Sequence, residues 1–236
     1  MSYNLLILES PGANITATMF VIHGLGHSAY TMKPFVERLL KHDKFKHIRF
    51  VLPDSSLVNM TARKGKATKS WFDIYDFMNF EEQDHKGAWK AASNFRRLIK
   101  DEIEIRKIPP SRIVVSGFSQ GAAMAYMTTA SLDIKIRALI SLSGFIPVVD
   151  SFATNVVDAN KSTPMLHCHG NEDNFIFLDI AKYSLNLLRK NGFQDITYKE
   201  YDGLDHSFGR DDEFQDVCTF LEKMIPPIDA EEKSKL

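Results

Sequence analysis

The feature that most constrains the fold is a regular alternation of short apolar runs with longer amphipathic segments. The runs "MFVI", "RFVL", "RIVV" and "LISL" are rich in β-branched or apolar residues, as buried strands are. Between them, apolar residues recur at helical spacing; the clearest case spans 87–107, where one face holds Ala88, Ala92, Phe95, Leu98, Ile99 and Ile103. Strands that alternate with helices predict an α/β protein with a mostly parallel, doubly wound sheet and helices on both faces.

We expect one domain over residues 1–228, because no internal repeat and no linker-like segment divides the chain. No large cap domain is expected. Two stretches are predicted to be loops, one from Ser55 to about Lys86 and one at 150–162. Residues 229–236, "DAEEKSKL", are charged and are expected to form a disordered tail.

Composition argues against several functions. A net charge of −1 provides no general attraction to nucleic acid, and the longest apolar stretch, "ALISLSGFIPVV", is too short to cross a bilayer. Neither G-x-G-x-x-G nor a P-loop occurs, so no nucleotide cofactor is expected. His167 and His169 would share one face of a strand, but no third ligand is evident, and no metal is expected.

The pentapeptide Gly117-Phe118-Ser119-Gln120-Gly121 follows the run "RIVV" and precedes a helical segment. This context is typical of a nucleophile elbow, in which a serine occupies the sharp turn from a strand to a helix. Glycines on both sides leave room for the tight crossing of the strand and the helix. We therefore predict Ser119 as a catalytic nucleophile.

A serine nucleophile needs a histidine base and an acid that orients it, and in this type of fold they follow in the order serine, acid, histidine. After Ser119, only His206 comes after a loop that contains acids. The acid is expected from the loop after "LHCHG", where both Asp173 and Glu172 are candidates. Asp179 falls inside the next predicted helix and is expected to be a surface residue.

The oxyanion of an acyl-transfer reaction needs backbone N–H donors at fixed positions. One donor is expected from Gln120, the residue after the nucleophile. The other is expected from Leu25 in the glycine-rich turn "HGLG", which follows an early strand.

These stretches together resemble the acyl-protein thioesterase/lysophospholipase group, the phospholipase/carboxylesterase family of small α/β-hydrolases. The resemblance rests on "FVIHGLG", "SWFDIYDF", "RIVVSGFSQGAAMA", "LISLSGF", "HGNEDNFIF" and "YDGLDHSFGRDDEFQDVCTFL". It implies a serine carboxylesterase or thioesterase that forms an acyl-enzyme. The residues that it implies are Ser119, Asp173 and His206 as the triad, Leu25 and Gln120 as oxyanion donors, and Trp71 beside an acyl pocket.

The chain departs from the family pattern at three places that we expect to border the pocket mouth. His27 stands where an Asp usually follows "HGLG", and 174–177 reads "NFIF" instead of a proline-containing segment. The segment before "WFD" is basic, with Arg63, Lys64, Lys66 and Lys69.

An apolar acyl group fits the aromatic residues Trp71, Phe72 and Phe175 that the motifs place near the site. The leaving group stays open. The expected partner is a small acyl ester or thioester, with an acylated protein, an acyl-CoA and a specialised metabolite ester or lactone as alternatives. The basic run 63–69 would suit an anionic head group or the phosphates of coenzyme A.

The sequence ends in Ser234-Lys235-Leu236, the tripeptide that the peroxisomal import receptor reads. A peroxisomal location is therefore expected, with the cytoplasm as the alternative. The two cysteines do not form a disulfide framework, so a reducing compartment is expected. The resemblance also makes a homodimer through apolar patches near the site an expectation.

Overall fold

The computed structural model describes residues 3–79 and 83–228. The described strands are β1 (Asn4–Leu8), β2 (Ala17–Ile22), β3 (Ile48–Asp54), β4 (Leu57–Met60), β5 (Lys66–Lys69), β6 (Ile113–Phe118), β7 (Ala138–Leu142), β8 (Met165–Gly170) and β9 (Ile196–Tyr201). The described helices are α1 (Ala29–Leu40), α2 (His85–Glu104), α3 (Gln120–Ser131), α4 (Val149–Asn155), α5 (Leu178–Lys190) and α6 (Asp211–Met224).

Seven strands form one sheet in the order β1-β3-β2-β6-β7-β8-β9, and every pair except β1–β3 is parallel. The central strands β2 and β6 are buried along their whole length, because helices cover both faces. The predicted mostly parallel, doubly wound sheet is confirmed.

Alternate residues of the strands feed two apolar layers on opposite faces of the sheet. Phe20 and Ile22 belong to the layer shared with helices α2 to α5, whereas Met19 and Val21 belong to the layer shared with α1 and α6. Since side chains alternate between the faces of a strand, a continuous apolar run is what a strand buried on both faces requires.

Three local expectations need correction. The N-terminal strand β1 was not predicted; it pairs antiparallel with β3 at the edge of the sheet. The stretch from Ser55 to Lys86 is not one loop, since β4 and β5 form an antiparallel hairpin that turns at Lys64 (φ 54°) and Gly65 (φ 79°). The predicted loop at 150–162 contains most of α4.

The reason for these errors is that each element is short and its stability comes from contacts with distant segments. In the hairpin only Met60 and Thr68 are buried, so no apolar periodicity marks it. None of the helices described is long and apolar enough to cross a membrane. The predicted tail, 229–236, lies outside the described residues.

Candidate active site

Ser119 lies at the turn between β6 and α3 with φ 55° and ψ −121°, a conformation that is rare for residues other than glycine. The flanking glycines make this turn possible. A Cβ on Gly117 would lie 2.3 Å from the backbone of Gly121, and a Cβ on Gly121 would lie 2.1 Å from the carbonyl oxygen of Ile22. The strand-turn-helix geometry is that of a nucleophile elbow.

A chain of hydrogen bonds joins Ser119, His206 and Asp173. The distance from Ser119 Oγ to His206 Nε2 is 2.9 Å, and the distance from His206 Nδ1 to Asp173 Oδ2 is 2.7 Å. Since a carboxylate only accepts, His206 carries its proton on Nδ1 and its Nε2 can accept from the serine hydroxyl. The structure thus brings the three predicted residues together in the geometry of a Ser-His-Asp triad.

Asp173 is buried, whereas its alternative, Glu172, is exposed. The second oxygen of Asp173, Oδ1, accepts hydrogen bonds from the backbone N–H groups of Phe175 and Ile176, at 2.9 and 2.8 Å. Burial on its own raises the pKa of Asp173, but the hydrogen bond and charge of His206, with the two N–H donors, hold that pKa below its ordinary value. The carboxylate is therefore charged and held by three donors.

The two predicted oxyanion donors, Leu25 and Gln120, lie near Ser119. Gln120 is the first residue of α3, where backbone N–H groups have no partner within the helix. Leu25 lies in the turn after β2, and among the described residues its N–H has no hydrogen-bond acceptor. Both residues line the same cavity as Ser119. This arrangement can stabilise negative charge on a carbonyl oxygen near the serine.

Buried hydrogen bonds hold the turn that carries Leu25. Ser55 N–H donates to His23 Nε2 at 3.1 Å, so His23 carries its proton on Nδ1 and donates it to the carbonyl oxygen of Gly24 at 2.8 Å. Burial lowers the pKa of His23 to about 4 and keeps the ring neutral. Gly26 N–H donates to the carbonyl oxygen of Lys69 in the hairpin, at 2.8 Å.

Ser119 and His206 open into a cavity of about 480 Å³. Its walls are mainly apolar and include the predicted residues Phe72 and Phe175. The other lining residues are Leu25, His27, Arg63, Ile74, Phe77, Met78, Gln83, Phe118, Gln120, Phe145, Asn174, Ile176 and Phe177. A cavity of this size and lining suits a ligand with an apolar chain.

Trp71 is not among the described residues that line this cavity, and its role in substrate binding stays a prediction. The indole is 6% exposed and packs edge-on against Tyr3 and Phe95. Its Nε1–H donates to the carbonyl oxygen of His23 at 2.7 Å. Trp71 therefore helps to hold the turn at 24–26 that carries Leu25.

The Gln120 side chain also has a structural role that the sequence did not indicate. Its amide accepts from Trp71 N–H at 3.1 Å and donates to the carbonyl oxygen of Phe72 at 3.1 Å. The side chain thus fixes the segment that delivers Phe72 to the cavity, while the Gln120 backbone remains beside Ser119.

Sequence reasoning missed several wall residues. Phe118 belongs to the elbow motif itself, and its ring lies 4.8 Å from that of His206. Phe145 and Ile176 pack together with Ala123 of α3 and also line the cavity. Their position after β7 and β8, at the carboxyl ends of parallel strands, is the signal that could have identified them.

The residues described include no group of three or more His, Cys, Asp or Glu side chains placed to hold a metal ion. His167 and His169 lie on one face of β8, as predicted, and hydrogen-bond each other and their neighbours.

The fold and the Ser-His-Asp geometry are those of a hydrolase of the α/β-hydrolase class. The family model described as Phospholipase/Carboxylesterase matches residues 4–225, and the chain belongs to that family. It is an enzyme that hydrolyses ester or thioester bonds.

Two curated relatives and one solved structure illustrate the similarity. Acyl-protein thioesterase 1 of Debaryomyces hansenii is 33% identical over 91% of this chain and 97% of its own. Acyl-protein thioesterase 1 of Candida albicans is 31% identical over 95% and 99%. The crystal structure of Arabidopsis thaliana SOBER1 aligns with a TM-score of 0.81 over 88% of this chain and 98% of that one, at 23% identity. The last comparison supports the fold alone.

Proposed function

We propose that the protein is a serine hydrolase that cleaves carboxylic esters or thioesters of acyl chains through a Ser119–His206–Asp173 triad. The observation that carries the proposal is the hydrogen-bonded line from Asp173 through His206 to Ser119, which opens into an apolar cavity. The relatives named acyl-protein thioesterase support the same chemistry.

In the first step, Ser119 Oγ attacks the carbonyl carbon of the substrate, and its proton passes to His206 Nε2. The charged carboxylate of Asp173 stabilises the imidazolium that forms. The carbonyl oxygen becomes an oxyanion, which the backbone N–H groups of Leu25 and Gln120 stabilise.

The tetrahedral intermediate then collapses, the bond to the alcohol or thiol breaks, and His206 returns the proton to the leaving group. The acyl group remains esterified to Ser119. Water, deprotonated by His206, attacks this acyl-enzyme and releases the carboxylic acid with the free serine.

The first experiment compares the wild type with Ser119→Ala on palmitoyl-CoA, a lysophospholipid and a short p-nitrophenyl ester. We expect the variant to remain folded and to lose at least about 10³-fold in kcat on every substrate that the wild type cleaves. Labelling of the wild type, and not the variant, by a fluorophosphonate would support the acyl-enzyme. Equal turnover by both proteins would refute the proposal.

A second candidate concerns the substrate: an acyl-CoA or another acyl compound with an anionic leaving group. Arg63 favours it, because this exposed cation lines the mouth of the cavity and has no carboxylate partner among the described residues. Its guanidinium lies 5.8 Å from the centre of the Phe77 ring. Lys64 and Lys66 lie beside it on the hairpin and are also exposed. These cations would attract phosphate groups outside the pocket.

The charge at Arg63 is tested with palmitoyl-CoA and an uncharged palmitoyl ester. Arg63→Gln is expected to raise KM for palmitoyl-CoA about 5-fold and to leave KM for the uncharged ester unchanged, since an exposed ionic contact contributes on the order of 1 kcal/mol. Arg189→Gln, an exposed arginine on α5, is the control. An equal change for both substrates would argue against recognition of an anion. If the enzyme cleaves a compact or cyclic ester in preference to both palmitoyl substrates, the alternative substrate, a specialised metabolite ester or lactone, is favoured.

The peroxisomal location is part of the proposal and rests on Ser234-Lys235-Leu236. The full chain fused behind a fluorescent protein is expected to co-localise with a peroxisomal marker, and removal of the tripeptide is expected to leave it in the cytoplasm. A cytoplasmic location of the full chain would support the alternative.

A further inference from the structure

A row of buried polar side chains lies behind the acid loop, and the mechanism above does not use it. His167 and His169 stand on the same face of β8, and Tyr126 lies on α3, the helix that starts after Ser119. Both histidines are 0% exposed and Tyr126 is 1% exposed. Burying polar groups in an apolar layer costs free energy unless each one is hydrogen-bonded.

These groups form a continuous hydrogen-bonded series. Tyr126 Oη lies 2.5 Å from His167 Nδ1, and His167 Nε2 lies 3.3 Å from His169 Nδ1. His169 Nε2 lies 2.8 Å from the carbonyl oxygen of Ile176. A second hydroxyl, that of Ser141 on β7, lies 3.2 Å from His167 Nδ1.

Only one direction of donation satisfies the series with neutral rings. A carbonyl oxygen only accepts, so His169 donates from Nε2, and its Nδ1 must accept from His167 Nε2–H. His167 Nδ1 is then an acceptor, and its single lone pair takes the hydrogen bond of the nearer hydroxyl, that of Tyr126. The Ser141 hydroxyl also hydrogen-bonds Tyr126 and lies close enough to His167 Nδ1 to replace it as the donor. Burial lowers the pKa of both histidines, in agreement with neutral rings.

The series ends on the residues that hold Asp173. Ile176 is bound on both sides, because its N–H donates to Asp173 Oδ1 while its carbonyl oxygen accepts from His169. His169 Nε2 is also 3.5 Å from Asp173 Oδ2, the oxygen that accepts from His206. The side chain of Ile176 lines the cavity, so the same turn shapes both the triad and the pocket.

We propose that three positioning residues, His169, His167 and Tyr126, fix the Asp173–Ile176 turn relative to α3, the helix that begins after Ser119. Through this turn they set the Asp173–His206 hydrogen bond. The inference rests on the proposed function, since its kinetic effect requires catalysis by the triad.

The variants remove donors at the two ends of the series. Tyr126→Phe combined with Ser141→Ala leaves His167 Nδ1 without a hydroxyl donor. His169→Leu removes the donor to Ile176, and His169→Gln restores it, because the glutamine amide nitrogen reaches the position of the imidazole Nε2. Tyr198→Phe is the matched control: its ring lies 5.7 Å from that of His167, but its hydroxyl donates to Glu200.

For a short p-nitrophenyl ester we expect the Tyr126/Ser141 double variant to lose about 10-fold in kcat, with KM within 2-fold of the wild type. His169→Leu is expected to lose about 30-fold, and His169→Gln to recover to within about 5-fold. In the His169→Leu background the Tyr126 and Ser141 substitutions should cause no further loss, because the series is already broken. Tyr198→Phe should match the wild type.

The proton NMR signal of His206 Nδ1–H provides a readout independent of turnover. We expect it to shift or broaden in the Tyr126/Ser141 variant and to remain unchanged in Tyr198→Phe. A folded double variant with wild-type kcat and an unshifted signal would overturn the inference, as would additive losses in the His169→Leu background. If His169→Leu fails to fold, kcat of the Tyr126/Ser141 double variant and its His206 Nδ1–H signal still test the inference. If the wild type shows no turnover that depends on Ser119, the proposed function is refuted instead of this inference.

Discussion

The catalytic centre and the rim of the cavity are built in opposite ways. At the centre, Ser119 and Asp173 are buried, and hydrogen bonds hold the turn after β8 at Asp173 and the turn after β2 at Gly26. At the rim, Phe175 is 70% exposed and Met78 is 75% exposed. Arg63 is exposed there as well.

This difference separates the two tasks of the enzyme. Catalysis needs groups held within fractions of an ångström, which a dense set of buried contacts provides. We expect the exposed side chains of the rim to contact the part of the substrate outside the cavity, because they make few contacts within the protein. The departures from the family pattern at His27, at 174–177 and in the basic hairpin line this rim or lie beside it. We expect the rim to tolerate changes that the centre does not.

The largest effect is expected from Asp173→Asn. An amide cannot hold His206 in the tautomer that receives the serine proton, so kcat should fall by about 10³- to 10⁴-fold while the fold persists. Steady-state kinetics with a p-nitrophenyl ester measure this loss. Glu172→Asn, on the exposed neighbouring acid, is the control and should keep wild-type kcat. A small effect of Asp173→Asn would break the distinction between centre and rim.

Gly121→Ala tests the rigidity of the centre. The new Cβ would lie 2.1 Å from the carbonyl oxygen of Ile22 and 2.6 Å from that of His23, and neither backbone can move freely. We expect the free energy of unfolding to fall by about 3 kcal/mol or more, as for severe overpacking. In Gly203→Ala, where φ is 68° and the space is open, strain alone should cost about 1 kcal/mol. Urea denaturation compares the two, and equal losses would contradict the argument.

Glu213 on α6 is expected to make the free energy of unfolding depend on pH. Its side chain is fully buried and accepts from Gly209 N–H, three residues after His206, at 2.6 Å. Burial raises its pKa to about 7. An unfolded glutamate ionises near pH 4.5, so the folded state binds more protons between about pH 4.5 and 7, and stability falls as pH rises through that window.

Glu213→Gln should remove this decrease in stability with rising pH. At pH 8 we expect the variant to exceed the wild type in free energy of unfolding by roughly 2 kcal/mol, with little difference at pH 5. Urea titrations at both pH values measure it, with Glu222→Gln, a partly exposed acid paired with Lys44, as the control. A variant less stable than the wild type at both pH values would show that the carboxylate form is favoured.

The smallest effect is expected at the rim. Phe175→Ala removes an exposed ring whose centre is 5.2 Å from that of His206. Stability should change by no more than about 0.5 kcal/mol. KM for long acyl substrates should rise about 3- to 10-fold through lost apolar contact, with kcat nearly unchanged. A large loss of kcat would instead show that Phe175 contributes to the geometry of the catalytic centre and not only to substrate binding at the rim.

Much of the fold could be predicted because the inner strands of the sheet, β2, β3, β6, β7 and β8, are almost entirely buried and therefore stand out as continuous apolar runs. The elements that were missed are those that this signal does not reach. The edge strand β1 and the hairpin β4–β5 are largely exposed, and α4 is only seven residues long. Their stability depends on neighbours from distant parts of the chain.

The sequence by itself determined the sharp strand-to-helix turn at Ser119, and it predicted the chain order in which Ser119, an acid and His206 follow the ends of strands. The residues alone left both Asp173 and Glu172 as candidates and the family resemblance implied Asp173, whereas the tertiary structure supplies the reason: Asp173 is buried and its carboxylate accepts from His206 and two backbone N–H groups. It also showed that the Trp71 indole donates a hydrogen bond to His23 and that His167 and His169 form a hydrogen-bonded series with Tyr126 on α3. The physical reason is that periodicity shows which side chains share a face, whereas the packing of distant segments decides what that face meets.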